Sequence, residues 1–421
     1  MKSVLKASLM SLCLSVVLMT PLAQQDPIID LPGVLAYIDT TYNVQSRNLT
    51  TDAVNQLTDD GDERTRRYQW PTWSQGNELA YFCCEQQPTT QVFLSNDGET
   101  PGDVVYEGVA EIFTYAYWSP QRCAETADCR DLTVLMSRIS DQRFSLRRIR
   151  TGLEAPQTTL VDVGAPYYHS WSPDGTRILG YLNDSRLQVY DTVTDNMSNV
   201  PQNPGTFQAP AWSPVDDRLL LTVETEDNAE SADLVIVAND DTQVLVPNLN
   251  GLVNFNWSPN GNYVAYTTIF QSRTNFLFVI DAITGEIVAQ TNIDEVFAFF
   301  WSPNSEHIAY ITSAAPAGSF SAKRTVPTQQ TAGIAWGVLD ISTNETRRYG
   351  NFIPTPEMVY MFNFFNQFAQ SHSIWSPDST HIVFAEQITE QSSIVNILNV
   401  TRRDSSPLTI DEGVIGVWSY D

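Results

Sequence analysis

Eight copies of one phrase divide this chain into units of similar length. The phrase is Trp-Ser-Pro with a turn behind it, fullest at Trp171-Ser172-Pro173-Asp174-Gly175 and Trp257-Ser258-Pro259-Asn260-Gly261. Looser copies begin at Trp73, Trp118, Trp212, Trp301, Trp375 and Trp418. The steps between copies are 45, 53, 41, 45, 44, 74 and 43 residues, and five of the seven fall between 41 and 45. A fixed period in that range is the mark of a propeller, with four strands per blade.

The phrase has a local meaning. Pro presets φ at the first corner of a tight turn, Asp or Asn bonds its own backbone, and Gly supplies a positive φ. A strand ending in Trp-Ser therefore reverses into a second strand. That second strand is visible at 78–82, 177–182, 263–267, 307–311 and 381–385, each rich in β-branched and aromatic residues. Third strands such as 187–190 and 276–280 end in Asp-rich turns. One Trp per repeat suits a recurring core position between stacked sheets.

The register of the first unit is offset. Residues 33–38 read as a second strand with no Trp-Ser-Pro turn before them, and 42–46 and 54–57 read as the third and fourth strands. The missing first strand lies at the far end of the chain, at Val414–Ser419. If it pairs with 33–38, the ring closes and no sheet edge stays free. The expected fold is all-β, an eight-bladed β-propeller of four-stranded antiparallel blades, with seven blades as the alternative should one weak unit fail to form.

Trp-Ser-Pro-Asp-Gly followed by a strand of the type Ile308-Ala309-Tyr310 resembles the repeats of TolB-type, WD40-like β-propellers. The resemblance covers nearly all of residues 24–421. It implies fold far more than function, because propellers host enzymes, binders and scaffolds alike. The α/β domain that precedes the propeller in TolB has no counterpart expected here, so TolB's partner binding does not carry over. The hydrolase domain of propeller-bearing peptidases has no counterpart expected either.

The first residues stand outside the pattern. Lys2 and Lys6 precede an apolar or small run from Ala7 to Thr20, and Pro21-Leu22-Ala23 offers a cleavage site. Residues 1–23 therefore read as a secretory signal peptide, with an uncleaved anchor as the alternative, and 24–421 as one domain. The expected location is secreted or periplasmic, at the cell envelope. The formal charge is −26, and losing the two lysines of 1–23 makes it −28. That sign excludes nucleic acid and a purely electrostatic hold on anionic lipid. No later stretch is long and apolar enough to span a bilayer. A monomer is expected.

Little in the sequence points to catalysis. Gly318–Ala322 lacks the closing glycine and the context of a nucleophile elbow, and no phosphate-binding loop occurs. The carboxylates fall in turns, without the oxygen spacing of a calcium loop. His307 and His381 occupy the same repeat position, right after the turn. His169 and His372 each precede a Trp-Ser and are expected to face one another across the channel, too far apart to share a metal. No cofactor or metal site is expected.

Cys123 and Cys129, six apart at the base of a hairpin, are expected to form a disulfide in an exported chain. Cys83 and Cys84 lie within a strand, where alternation sends neighbours to opposite faces; two unreactive thiols are the default and a vicinal disulfide the alternative.

The unit from Trp301 breaks the symmetry. It is 74 residues long and carries an insertion within 312–372. One part, Ala314–Thr331, reads as a long loop. The other is an aromatic run, Tyr360–Phe368, which either packs against the adjacent blade or forms an exposed contact patch. Phe362, Phe364, Phe365 and His372 are the candidate binding residues. The function expected is a non-catalytic module binding a protein or polysaccharide; the alternative is a carbohydrate lyase or hydrolase with its site at one channel mouth. Converging His, Asp and Arg at a mouth would favour the enzyme, whereas aromatic and amide groups would favour binding.

Overall fold

The computed structural model describes residues 30–84, 89–225, 228–239, 241–271, 273–293, 295–314 and 333–421. The signal region and nearly all of the loop read at Ala314–Thr331 lie outside the described residues.

Eight antiparallel sheets stand around one axis, and in all but the first the strands run from innermost to outermost in chain order. Blades 2 to 7 begin with inner strands Tyr68–Trp73, Glu111–Arg122, Tyr167–Trp171, Ala211–Trp212, Leu252–Trp257 and Val296–Trp301. Blade 1 takes its inner strand, Ile415–Trp418, from the C-terminus, where it pairs with Val34–Ile38. Ser419 extends the closure, its Oγ accepting from the Val34 N–H at 2.9 Å. The offset register and the eight-fold count are both as the repeat required. Blade 8 keeps three full strands, with its inner strand reduced to the bridge Trp375↔Ile382.

The repeat phrase builds the turns as its chemistry dictates. Its fifth residue lies in the left-handed region at Gly175, Gly261, Ser305 and Ser379 (φ 70°, 69°, 63° and 62°). Glycine holds that conformation at no steric cost, and the serines of the looser copies hold it at some. The Ser side chain fastens the turn: Ser172, Ser258, Ser302 and Ser376 Oγ each accept the N–H of the residue that opens the next strand, at 2.9 Å.

The Trp side chains join blade to blade. The indole N–H of Trp118, Trp171, Trp301 and Trp375 donates to a carbonyl of the preceding blade's inner strand, on Thr72, Tyr117, Asn256 and Phe300 respectively. A residue at or just before the start of the preceding blade's second strand covers the ring. Arg177 lies 4.8 Å over Trp212, Arg218 lies 4.7 Å over Trp257, and His307 packs 6.5 Å from Trp375. This is why His307 sits at a repeat position. Burial then falls from axis to rim: Leu79–Cys83 is buried throughout, whereas the outer strand Asn196–Asn199 is wholly exposed.

Cys123 and Cys129 are bridged, with Cα atoms 5.2 Å apart. Cys83 and Cys84 are also joined, which corrects the default expectation of two free thiols. Strict alternation ends at this point: the strand stops at Cys83, and Cys84 has φ 82°, so the chain turns and the two sulfurs meet.

Candidate functional site

The channel of the ring is not open. The chain leaves blade 7 at Phe352, on the rim opposite the Trp-Ser-Pro turns, and passes into the channel as two short helices, α1 (Pro356–Asn363) and α2 (Phe365–Phe368). Thr355 caps α1, its hydroxyl accepting the Met358 N–H, with Pro at the first position and Glu357 in the first turn. These are standard helix-start residues. Nothing comparable ends the helix, so it breaks after eight residues and restarts as a single turn.

This plug touches almost every blade. Phe368 packs 4.9 Å from Trp70 of blade 2 and 5.2 Å from Tyr115 of blade 3. Gln367 makes a two-way pairing with blade 4, its Nε2 donating to His169 O at 2.6 Å and its Oε1 accepting from His169 N at 3.0 Å. Gln370 reaches Ser170 of blade 4 and Pro210 O ahead of blade 5. Asn366 donates to Asn254 of blade 6 at 3.1 Å. Phe365 meets Phe299 of blade 7 at 4.8 Å. Thr355 donates to Val414 O beside blade 1 at 2.6 Å. The aromatic run is therefore neither packing against one adjacent blade nor an exposed patch. It fills the axis.

The four candidate residues are spread along the plug. Phe362 and Phe365 are buried, the former against Phe300 and Trp336 at 6.3 and 5.8 Å. Phe364 is half-buried and borders a small cleft with Tyr167, Tyr168 and Tyr360 on the rim where the plug enters. His372 is buried near the opposite end, its Nε2 3.1 Å from Thr72 Oγ1 and its Nδ1 2.7 Å from Ser371 Oγ. The structure does not bring the four together.

His372 also corrects the expectation of two histidines facing across the channel. The plug carries it over to blades 2 and 3, so that His372 and His169 both flank Tyr115, with ring centroids 6.1 and 5.5 Å away. Burial without a carboxylate partner pushes both down to about 3. Both are neutral imidazoles at ordinary pH: His372 bonds Ser371 and Thr72, and His169 Nε2 lies 2.8 Å from Thr133 Oγ1 of blade 3.

The plug leaves a bowl at the Trp-Ser-Pro end. It is a cavity of about 320 Å³ whose wall is formed by the repeat phrase: Trp171, Trp212, Trp257, Trp301 and Trp375, with Pro173, Pro214, Pro259 and Pro303 beside them. Tyr117, Asn256 and Tyr420 complete the wall, and Ala369, Gln370 and His372 form the floor. Among the described residues, no Asp, Glu, Lys or Arg lines it. Burial raises the Tyr117 and Tyr420 hydroxyls well above the usual range, so they stay protonated. The sequence reading missed these residues as a site, although the signal was present: every Trp-Ser-Pro ends at the same mouth.

Among the described residues, one group has metal-ligand geometry, Cys123, Glu125 and Cys129, and its two sulfurs are spent in the disulfide. No helix there is long and apolar enough to cross a membrane, which says nothing of strands.

No protein-family signature matches the chain, and no curated protein matches it. Solved structures do match. An oligogalacturonate lyase in complex with manganese is 13% identical, with 86% of this chain and 94% of that one covered, at a TM-score of 0.52. A dihydro-heme d1 dehydrogenase is 12% identical over 95% of this chain and 78% of that one, at 0.55. TolB from Acinetobacter baumannii is 14% identical over 85% and 83%, at 0.39, a superposition too loose to add to the motif. Identities this low show the fold alone. The chain is a β-propeller.

Proposed function

We propose that this chain is an exported, non-catalytic binding module and that its site is the bowl at the Trp-Ser-Pro mouth. One observation carries the reading: the bowl is walled by aromatic, proline and amide groups, and among the described residues no ionised side chain lines it. Acid–base chemistry needs a group that titrates near working pH. The only titratable imidazole there, His372, is held neutral in a closed network with Ser371 and Thr72. A concave, mostly apolar cavity with a few fixed polar groups is what ligand recognition uses. The paired cysteines and the secretory signal read at 1–23 support a place outside the reducing cytosol.

The reading predicts saturable binding of an uncharged ligand without turnover. Arrays of neutral peptides and oligosaccharides, read by calorimetry on the hits, test it. The variant Pro259→Glu, which sets a charge on the rim, should abolish the binding while leaving the melting temperature within about 1–2 °C, as for a surface change. Incubation with oligogalacturonate and manganese tests the enzymatic alternative. Accumulation of unsaturated product would overturn the non-catalytic reading.

A further inference from the structure

A second cleft, of about 360 Å³, opens on the rim where the plug enters, at the other end of the axis from the bowl. Its wall includes Tyr168 and Tyr181 of blade 4, Phe207 ahead of blade 5 and Leu252 of blade 6. Two carboxylates border it: Asp184, in the hairpin after Arg177–Leu182, and Glu224, near the end of Leu219–Thr225 in blade 5. Both are exposed, and neither carboxylate has a hydrogen-bond or ion-pair partner among the described residues. No Lys, Arg or His among those residues lines the cleft. Exposed carboxylates are common in a chain of −26 and do not make a site by themselves. Tyr181 supplies the second observation. It is 2% exposed, and its ring is held by stacking on Phe207 with centroids 4.3 Å apart. Its hydroxyl has no partner among the described residues, yet unlike the indoles of Trp212 and Trp257 it is not sealed, and the residue borders the cleft. Buried polar groups are as a rule hydrogen-bonded. Burial, with Asp184, Tyr168 and Glu224 adding to it, raises this hydroxyl above its usual range, so it stays protonated and lies within electrostatic reach of both carboxylates. Tyr168, paired with Tyr181 across the strands, brings a second unpartnered hydroxyl to the same cleft.

Two uncompensated negative charges, two free phenols and an apolar wall ask for a cation with a hydrocarbon body. We propose that this cleft binds an aliphatic diamine or polyamine, with one ammonium group at Asp184 and another at Glu224. Hydrogen bonds from an ammonium to a carboxylate are roughly twice as strong as neutral ones. The phenol oxygens accept the N–H donors that the carboxylates leave over. The methylene spacer lies against Phe207 and Leu252, apolar surface that a bare ion does not use. A single amine leaves one carboxylate unmatched, because Asp184 and Glu224 stand on different blades. A metal ion suits the cleft less well. Calcium collects roughly six to eight oxygens around one point. Among the described residues, the one convergent group of three or more metal-ligating side chains lies elsewhere, at Cys123, Glu125 and Cys129. The negative charge of the whole chain draws any cation towards the rim, and the cleft then selects by shape and spacing.

The test is calorimetry on the full chain at about 0.15 M salt, where diffuse attraction beyond roughly 8 Å is screened. The probes are putrescine, spermidine, butanediol as the neutral analogue of putrescine, and calcium chloride. Putrescine or spermidine should bind saturably and butanediol should not. Asp184→Asn and Glu224→Gln should each weaken the amine about tenfold. Both are exposed, and Asn tolerates the left-handed backbone of Asp184 at φ 53°, so folding is not at issue. Tyr181→Phe keeps the stack on Phe207 and removes only the hydroxyl, and should weaken binding about threefold. Tyr168→Phe gives the same reading should that variant fold poorly. Amine binding that none of these variants changes is a response to net charge and overturns the proposal. Butanediol binding as well as putrescine, calcium binding that the two carboxylate variants abolish while the amines do not bind, or no binding by either amine overturns it too. None of these outcomes touches the reading of the bowl, which its own probes decide.

Discussion

If the plug is part of the core rather than a movable lid, removing one of its rings should destabilise the whole propeller. Phe365 is 2% exposed and meets Phe299 at 4.8 Å and Phe300 at 6.3 Å, on the side of blade 7. Phe365→Ala therefore loses a fully buried ring and leaves a cavity that a two-helix insert cannot easily collapse around. Such losses cost about 3–5 kcal/mol. Unfolding entropy of roughly 2.1 cal/mol/K per residue gives a chain of this size about 0.8 kcal/mol/K, so Tm should fall by about 4–6 °C. Phe364 is the internal control. It is next in sequence but half-buried, resting on Tyr360 at 4.9 Å, and Phe364→Ala should cost only about 1 kcal/mol, close to 1 °C. Differential scanning calorimetry of the two variants decides. Equal losses, or a Phe365→Ala protein that melts like the parent, would refute the plug as core.

Three further outcomes follow from the same structure. Deleting Val414–Asp421 removes the fully buried Trp418 and unpairs Val34–Ile38, so the truncated protein should melt far below the parent; equal melting by calorimetry would break the closure argument. His169 and His372 titrate near 6.5 when unfolded and at about 3 when folded, so the unfolded chain binds protons that the folded one refuses. Their stabilisation is complete above pH 6.5 and is lost as pH falls from there towards 3; a His169→Gln variant should show a shallower acid decline in Tm, and an unchanged slope would count against buried neutral imidazoles. The bridge between Cys123 and Cys129 closes a short loop and should contribute about 2 kcal/mol, measured by denaturation of Cys123→Ser/Cys129→Ser against the parent; free thiols at these positions in the unreduced protein, seen by mass spectrometry, would reject it.

The ring was legible in the sequence because its information is local and repeated. A Trp-Ser-Pro turn needs only five residues to specify itself, and the left-handed fifth position shows in the choice of Gly175 and Gly261. Eight copies then fix period, blade count and the offset that sends Ile415–Trp418 to pair with Val34–Ile38. The short loop between Cys123 and Cys129 was equally local. What the sequence left open is what the insertion does, since a segment without a copy elsewhere has no period to be read from. One sign was there: Thr355-Pro356-Glu357 is an N-cap, a first-turn proline and a first-turn acid, and it announces a helix. Where that helix goes was not there. Its eight residues bury Met358, Met361 and Phe362 against walls contributed by blades far apart in the chain, so the decision to enter the channel belongs to the closed ring. The same tertiary step carries His372 across to Tyr115, brings the sulfur of Cys84 back to Cys83 and turns an open channel into a bowl. The unpaired indoles of Trp73, Trp212 and Trp257 are likewise invisible in a repeat where every Trp looks alike; only the geometry between neighbouring blades decides which N–H finds a carbonyl.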